Sequence, residues 1–373
     1  MILQELKKIW TPMRIVLLIV ISILMYRSFL SPIVKRFEAG EGMDAFQEKL
    51  CISREWMMEY GTTIEAEEFA DIEKRYDKII AEIEKSMVQK KAFVECDVKN
   101  YEEFLEYQTN ALNGKEGFDY PEFKEMDETL FADTPYSSIY LQEYEKMMMD
   151  YEMASEGCYN VLPDEVIIYS TDFLRYLSLW CLIVVLMVAA PVMVNDVAGN
   201  MNREQYCTRI GRKIYKIQYF CTMLSVLLVE VVVIAFGMAV WETTNAFDFG
   251  NVGLASFMYP VKPTLHITYA EVFGLFMVIM GLMGIGAGSM AFCLSSCSNH
   301  VIAMLMKVTP LTVIAGAYIL SLENLFYENN LLYGFLHISG IEMIPAFIIF
   351  VTGILCNIVR YKLLRADKNA HEP

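Results

Sequence analysis

Residues 195–219, NDVAGNMNREQYCTRIGRKIYKIQY, decide the fold of this chain, because a basic segment lies there between two apolar runs that are each long enough to cross a bilayer. Arg203, Arg209, Arg212, Lys213 and Lys216 face only Asp196 and Glu204 within it. The bias of Lys and Arg toward cytoplasmic loops places this segment inside the cell and orients every other apolar run.

Composition agrees with a membrane body. The chain is 55% hydrophobic yet carries a formal net charge of −16, so apolar and acidic residues must be segregated along it. They are. Residues 38–165 hold 33 Asp and Glu against 12 Lys and Arg, which leaves the remainder mildly basic. Six runs of about 20 apolar residues read as helical spans, at 15–34, 173–194, 218–240, 269–294, 301–320 and 341–359. Lys7, Lys8 and Arg14 precede the first and Arg360, Lys362, Arg365 and Lys368 follow the last, so both termini are expected inside. Lys35 and Arg36, just outside the first span, run against the rule, and the other junctions outvote them. Lys7 and Lys8 ahead of an apolar core also resemble a signal peptide. The run is long and no small-x-small cleavage site follows it, which favours an uncleaved anchor. Apolar positions Ile2, Leu3, Leu6, Ile9 and Trp10 with charge between them suit a short helix in the membrane interface.

The expected fold class is an all-α membrane protein with six transmembrane helices and an inserted, mainly helical domain between spans one and two. The domain plan is residues 1–34 for the interfacial helix and first span, 35–172 for an acidic extracellular domain, and 173–373 for a five-helix transmembrane domain carrying the loop 195–218. Within the insert, Ile72, Tyr76, Ile79 and Ile83 step by four, three and four, the seam of a helix packed on a partner. A second helix is expected over 137–154, and 159–170 reads as extended. Cys51, Cys96 and Cys158 allow at most one disulfide in this domain.

Chemistry-bearing motifs are absent. No Gly-x-x-x-x-Gly-Lys-Ser/Thr phosphate loop, His-Glu-x-x-His helix or Gly-x-Ser-x-Gly elbow occurs, and the four histidines are scattered. No catalytic, cofactor-binding or metal-ligating residues are expected, nor is nucleic acid a partner, and energy for any active work must come from another chain. The 25 methionines raise copper handling, against their ordinary use as packing residues.

Inside the spans, Gly281, Gly284, Gly286 and Gly288 in GLMGIGAGS let a neighbouring helix approach closely, and Gly284 and Gly288 have the small-residue spacing of tightly crossing helices, within one subunit or at a dimer seam. Glu230, near the middle of the third span, is costly there and calls for a partner or a function. An ion pair with Arg27 of the first span is one reading, and a substrate or proton contact is the other.

The run Ala189-Ala190-Pro191-Val192-Met193-Val194-Asn195-Asp196, followed by Thr208-Arg209-Ile210-Gly211-Arg212-Lys213, resembles the permease subunits of type-2 ATP-binding-cassette exporters, in the Firmicutes-like branch with a large external domain after the first span. Ala190, Pro191, Asp196, Arg209, Gly211, Arg212 and Lys216 coincide with that family's pattern. Asn195 replaces one acid, the glycine falls early at Gly199, and Glu204-Gln205-Tyr206 replaces a leucine run. The resemblance implies a cytoplasmic coupling helix that docks on a separate ATPase subunit, with Asp196, Glu204, Tyr206, Arg209, Ile210, Gly211, Arg212 and Lys213 as the docking set, in a permease homodimer or heterodimer of the bacterial plasma membrane. Arg209, Arg212 and Lys213 offer polar docking and Tyr206 and Ile210 apolar contact. The competing reading is that these cations set topology and touch anionic membrane lipid. For the whole chain, the alternative is a non-transporting membrane scaffold or sensor whose external domain binds a ligand or envelope component.

Overall fold

In a computed structural model of the chain, the described residues are 2–37, 45–115, 117–132, 136–154, 159–198 and 211–369, with side chains left out at 195, 197–198, 211–213 and 365–369. About 78% of the described residues are helical. Among the described residues pairing of the β type is confined to isolated bridges.

Among the described residues six helices are long and apolar enough to cross a membrane: Pro12–Lys35, Asp164–Val194, Ile214–Glu242, Tyr269–Ser296, Val301–Leu320 and Ile341–Leu364. They are numbered here as spans one to six. Their apolar centres coincide with the runs read from the sequence, and several continue further at the ends. The second is the clearest case. Its helix starts at Asp164, directly after Pro163, so most of the segment expected to be extended is helical. The β-branched run Val166-Ile167-Ile168 favours extended backbone, but Val166 and Ile167 are buried on a helix continuous with the apolar run, and tertiary packing overrides the weak local preference.

The chain divides into two compact units. One holds residues 1–38, 165–254 and 261–373 and contains the spans. Spans four and six form its tightest pair. A Cβ on Gly353 would lie 2.4 Å from the Gly286 carbonyl oxygen, and one on Gly286 would lie 2.6 Å from the Phe350 backbone, so these helices touch main chain to main chain. Two loops interlock in the same unit. Thr264 N–H donates to Phe326 O at 2.7 Å, Glu328 N–H to Lys262 O at 3.0 Å, and the Tyr327 hydroxyl to Leu254 O at 3.0 Å. The loop 321–340 carries one short helix, Leu331–Leu336.

The second unit comprises Ala39–Asp164 and the six residues Ala255–Pro260. Its helices include Ala45–Tyr60, Ala66–Met87, Tyr101–Leu112, Tyr120–Phe131 and Ser138–Met153. Asn100 and Ser137 cap two of these with side-chain bonds to Glu103 N–H and Tyr140 N–H, as the preference of such residues for N-caps requires. Of the seam read from the sequence, Ile72 and Ile83 are buried and Tyr76 and Ile79 half-buried. Two aromatic-rich cores result. One gathers Phe93, Tyr101, Phe104 and Phe123 around Met126, and the other sets Trp56 and Tyr144 against Phe257 and Met258. Ser256 ties the short segment in, donating to Asn160 O and Leu162 O and accepting from Leu162 N–H and Met258 N–H. Lys49 is fully buried and paired with Asp164. Cys51 and Cys96 are free thiols, and Cys158 lies outside the described residues.

Candidate functional site

The richest polar cluster of the span unit lies at the neck of the loop 195–218. The N-terminal helix Ile2–Ile9 forms under Glu5 in its first turn and Lys7 and Lys8 in its last, charges that complement the helix dipole, and Pro12 opens the next helix. It buries Glu5 along with Ile9, while Ile2 and Leu3 remain exposed. Glu5 accepts from Lys8 Nζ at 2.9 Å and from Gln218 Nε2 at 3.2 Å. Asp196, on the last helix before the loop, accepts from Gln218 Nε2 at 2.6 Å and Lys8 Nζ at 3.5 Å. Gln218 is 1% exposed. Two carboxylates, one ammonium and one amide thus satisfy one another, and a direct bond between Asp196 and Gln218 ties together the two helices that flank the loop. Burial alone lowers the Lys8 ammonium pKa; the Glu5 hydrogen bond and the Asp196 charge outweigh it and leave the pKa raised.

Neighbouring bonds brace the neck. Trp10 Nε1 donates to Ser225 Oγ at 3.1 Å. Pro191 restarts the helix after Ala189, leaving first-turn N–H groups without an intrahelical acceptor, and Val194 N–H is taken by Ser295 Oγ at 3.0 Å. Deeper in, Asn357 donates to Ser289 O at 2.7 Å and Gly353 O at 2.9 Å and accepts from the Tyr215 hydroxyl at 2.8 Å. The third, fourth and sixth spans are therefore pinned together by one fully satisfied amide. Lys216 Nζ lies 4.5 Å over the Tyr361 ring, a cation held on an aromatic face.

Of the expected docking set, Asp196 is in this cluster. Glu204, Tyr206, Arg209 and Ile210 lie outside the described residues, and Gly211, Arg212 and Lys213 are described only as the backbone opening the helix Gly211–Glu242. Glu5, Lys8 and Gln218 were missed by sequence reasoning. The sole signal was the Glu5/Lys8 spacing of three in a short amphipathic helix, a pattern that ordinarily points its charges to solvent.

The intramembrane pair read from the sequence does not form. Glu230 is 3% exposed, its Oε1 has no hydrogen-bond partner, and a Cβ on Gly284 would lie 2.1 Å from that oxygen. Gly284 therefore leaves the room the carboxyl occupies. Arg27 lines a different cavity with Val229, Val232 and Phe236, which lie on another side of the third span. Helix rotation separates the two groups, a property that counting depth along the spans does not capture. Of the other glycines, Gly288 packs on Val185 and Val226 within the subunit, whereas Gly281 has open space before it. Gly286 makes the close approach expected of it, and its partner is Gly353 of the sixth span, which the sequence reading did not name.

Among the described residues no group of three His, Cys, Asp or Glu side chains is placed to hold a metal ion. In comparisons with known proteins, no family model, no curated protein and no solved structure matches this chain.

Proposed function

We propose that this chain is the membrane-spanning permease subunit of an ATP-binding-cassette exporter, coupled through the loop 195–218 to a separate cytoplasmic ATPase. Two permease chains and two ATPase subunits make the working assembly. Both termini and the loop face the cytoplasm and the acidic unit faces outward. The observation that carries the reading is the closed neck: Gln218 to Asp196 at 2.6 Å, with Lys8 and Glu5 tying the N-terminal helix to both. A push on a slack loop is absorbed by the loop. A push on a loop whose two ends are bonded to each other is delivered to spans two and three together. The basic residues Arg209, Arg212 and Lys213 then meet an acidic docking groove on the motor, and the absence of any phosphate-binding loop in the sequence fits a motor on another chain.

The test is reconstitution of the full chain in lipid nanodiscs with a candidate ATP-binding-cassette ATPase subunit from the same cell. Arg209→Glu with Arg212→Glu is expected to reduce co-purification of the ATPase at least tenfold and to abolish stimulation of its hydrolysis, with the thermal melt of the membrane protein unchanged. Undiminished co-purification and stimulation would overturn the coupling role. A wild-type chain that captures no ATPase would leave the scaffold reading in its place.

A further inference from the structure

The first span stands nearly free, with only 6% of its apolar window buried, and between it and the third span lies an open cleft of about 600 Å³. Ile19, Leu228 and Val232 line its flank, Trp10 lies at one end and Arg27 towards the other. The two indole N–H groups of the walls are already bonded, since Trp180 Nε1 donates to Ser22 Oγ and Trp10 Nε1 to Ser225 Oγ, both at 3.1 Å. Arg27 is the only charged residue among the lining residues, and its guanidinium has no hydrogen bond or ion pair with any described residue.

Arg27 also sits on irregular backbone. Residues Tyr26–Leu30 form a π-helical turn, closed by a Ser31 N–H bond to Tyr26 O, immediately before Pro32. Such single turns insert a residue into the helical register and re-aim a side chain. An unpaired arginine within a span is costly unless an anion meets it. It lies about 12 Å short of Lys35 along the helix and about 25 Å from Trp10, the length of one extended long acyl chain.

We infer that this cleft binds a single-chain anionic amphiphile, a long-chain carboxylate taken from the bilayer, with its acid group on Arg27 and its tail along Ile19, Leu228 and Val232 towards Trp10. Charge complementarity selects the headgroup, and the cleft's volume and length select one chain over two. Binding requires neither ATPase nor nucleotide, so the inference stands apart from the transport reading.

The experiment uses the full chain in nanodiscs of zwitterionic lipid with a diazirine-bearing palmitate as photolabel, mapped by peptide mass spectrometry. Labelling is expected on spans one and three, competed by palmitate and not by hexadecanol. Arg27→Gln should lower it at least tenfold, while Arg27→Lys keeps most of it. Leu228→Trp, at an exposed position where added bulk fills the cleft without disturbing a core, should abolish labelling with the arginine intact. Equal competition by hexadecanol, wild-type labelling of Arg27→Gln or of Leu228→Trp, or competition by a diacyl anionic phospholipid in preference to palmitate would each overturn the proposal.

Discussion

In the unit built from Ala39–Asp164 and Ala255–Pro260, helices meet through rings: Tyr76 stacks on Tyr144 at 5.4 Å, Phe69 on Tyr151 at 3.6 Å, and Trp56 meets Tyr144 edge-on at 5.3 Å. In the span unit the tightest contact has no side chain at all, because Gly286 and Gly353 bring two backbones together. The two regions also handle charge differently. The first pairs its ions, at the surface where Glu59 receives both Arg75 nitrogens and the Tyr60 hydroxyl donates to Asp71 at 2.7 Å, and inside where Lys49 meets Asp164. There burial and the Asp71 hydrogen bond push the Tyr60 pKa up to about 12. The second sequesters its carboxyls in closed positions: Glu5 and Asp196 within a matched cluster, Glu230 and Glu342 buried with oxygens unpaired. Cores filled by large side chains adjust by rotamer changes; a contact between backbones has nothing to move. The lesson is that small substitutions should be most damaging where the structure shows least chemistry.

The sharpest way to break that comparison is Gly353→Val. The first added atom would meet the Gly286 carbonyl at 2.4 Å and Ser289 Cβ at 3.1 Å. Overpacking of a flexible core costs about 1–3 kcal/mol, and here the obstacle is main chain, so loss of the folded span unit is expected. The measurement is monodispersity and yield in detergent, with Gly281→Val as the control that should behave as wild type because nothing lies within 4 Å of that site. Equal behaviour of the two variants would remove the backbone contact as the organising feature of spans four and six.

A smaller effect belongs to the one buried cation of the inserted unit's described residues. Lys49 is fully buried against Asp164, with Lys146 Nζ 3.9 Å from the other carboxylate oxygen. Removing one member of a buried pair typically costs about 3–5 kcal/mol, because the other charge is left uncompensated. Lys49→Met should lower the unfolding free energy of this unit by about that amount, read by hydrogen exchange of the helix Ala45–Tyr60 in the full chain. The double variant Lys49→Met with Asp164→Asn should recover much of the loss. If the single variant is silent, charge pairing is not what separates this unit from the other.

How far the sequence revealed these features depended on the range of the interaction. The spans were legible because a bilayer sets a length and apolarity that each run satisfies by itself. The helix Ser138–Met153 and the Ile72–Ile83 seam were legible because capping and periodicity are local. Gly286 and Gly353 lie on different helices, so nothing in either segment marks the partner. Gly281 shares its motif with Gly284 and yet faces open space. The Glu5 burial contradicts its helix's amphipathic pattern and follows from Gln218, far along the chain. Ala255–Pro260 reads as part of a loop between spans, and only the placement of Phe257 and Met258 beside Trp56 shows what it packs with.

The finest distinction between the two regions is a carboxylate of the inserted unit that is handled as the span unit handles its own. Asp127 Oδ1 is buried with no hydrogen-bond partner, on the helix Tyr120–Phe131. Burial raises its pKa above 3.8, a Ser138 hydrogen bond opposes that, and the charge of Glu128 adds to it. A pKa raised on folding means that the folded state holds the proton more tightly than the unfolded chain. The stabilising contribution is therefore complete below pH 3.8 and is lost as pH rises through the raised value. Above the raised value the carboxylate is charged, and an unsatisfied buried group of this kind costs about 1–3 kcal/mol. Asp127→Asn keeps the shape and discards the charge, so it should stabilise the unit by about 1 kcal/mol at pH 7. Below pH 3.8 the aspartate is itself neutral and the advantage should disappear. Paired thermal melts of wild type and variant at the two pH values check this. A gain independent of pH would assign the effect to hydrogen bonding by the new amide rather than to relief of a buried charge at Asp127.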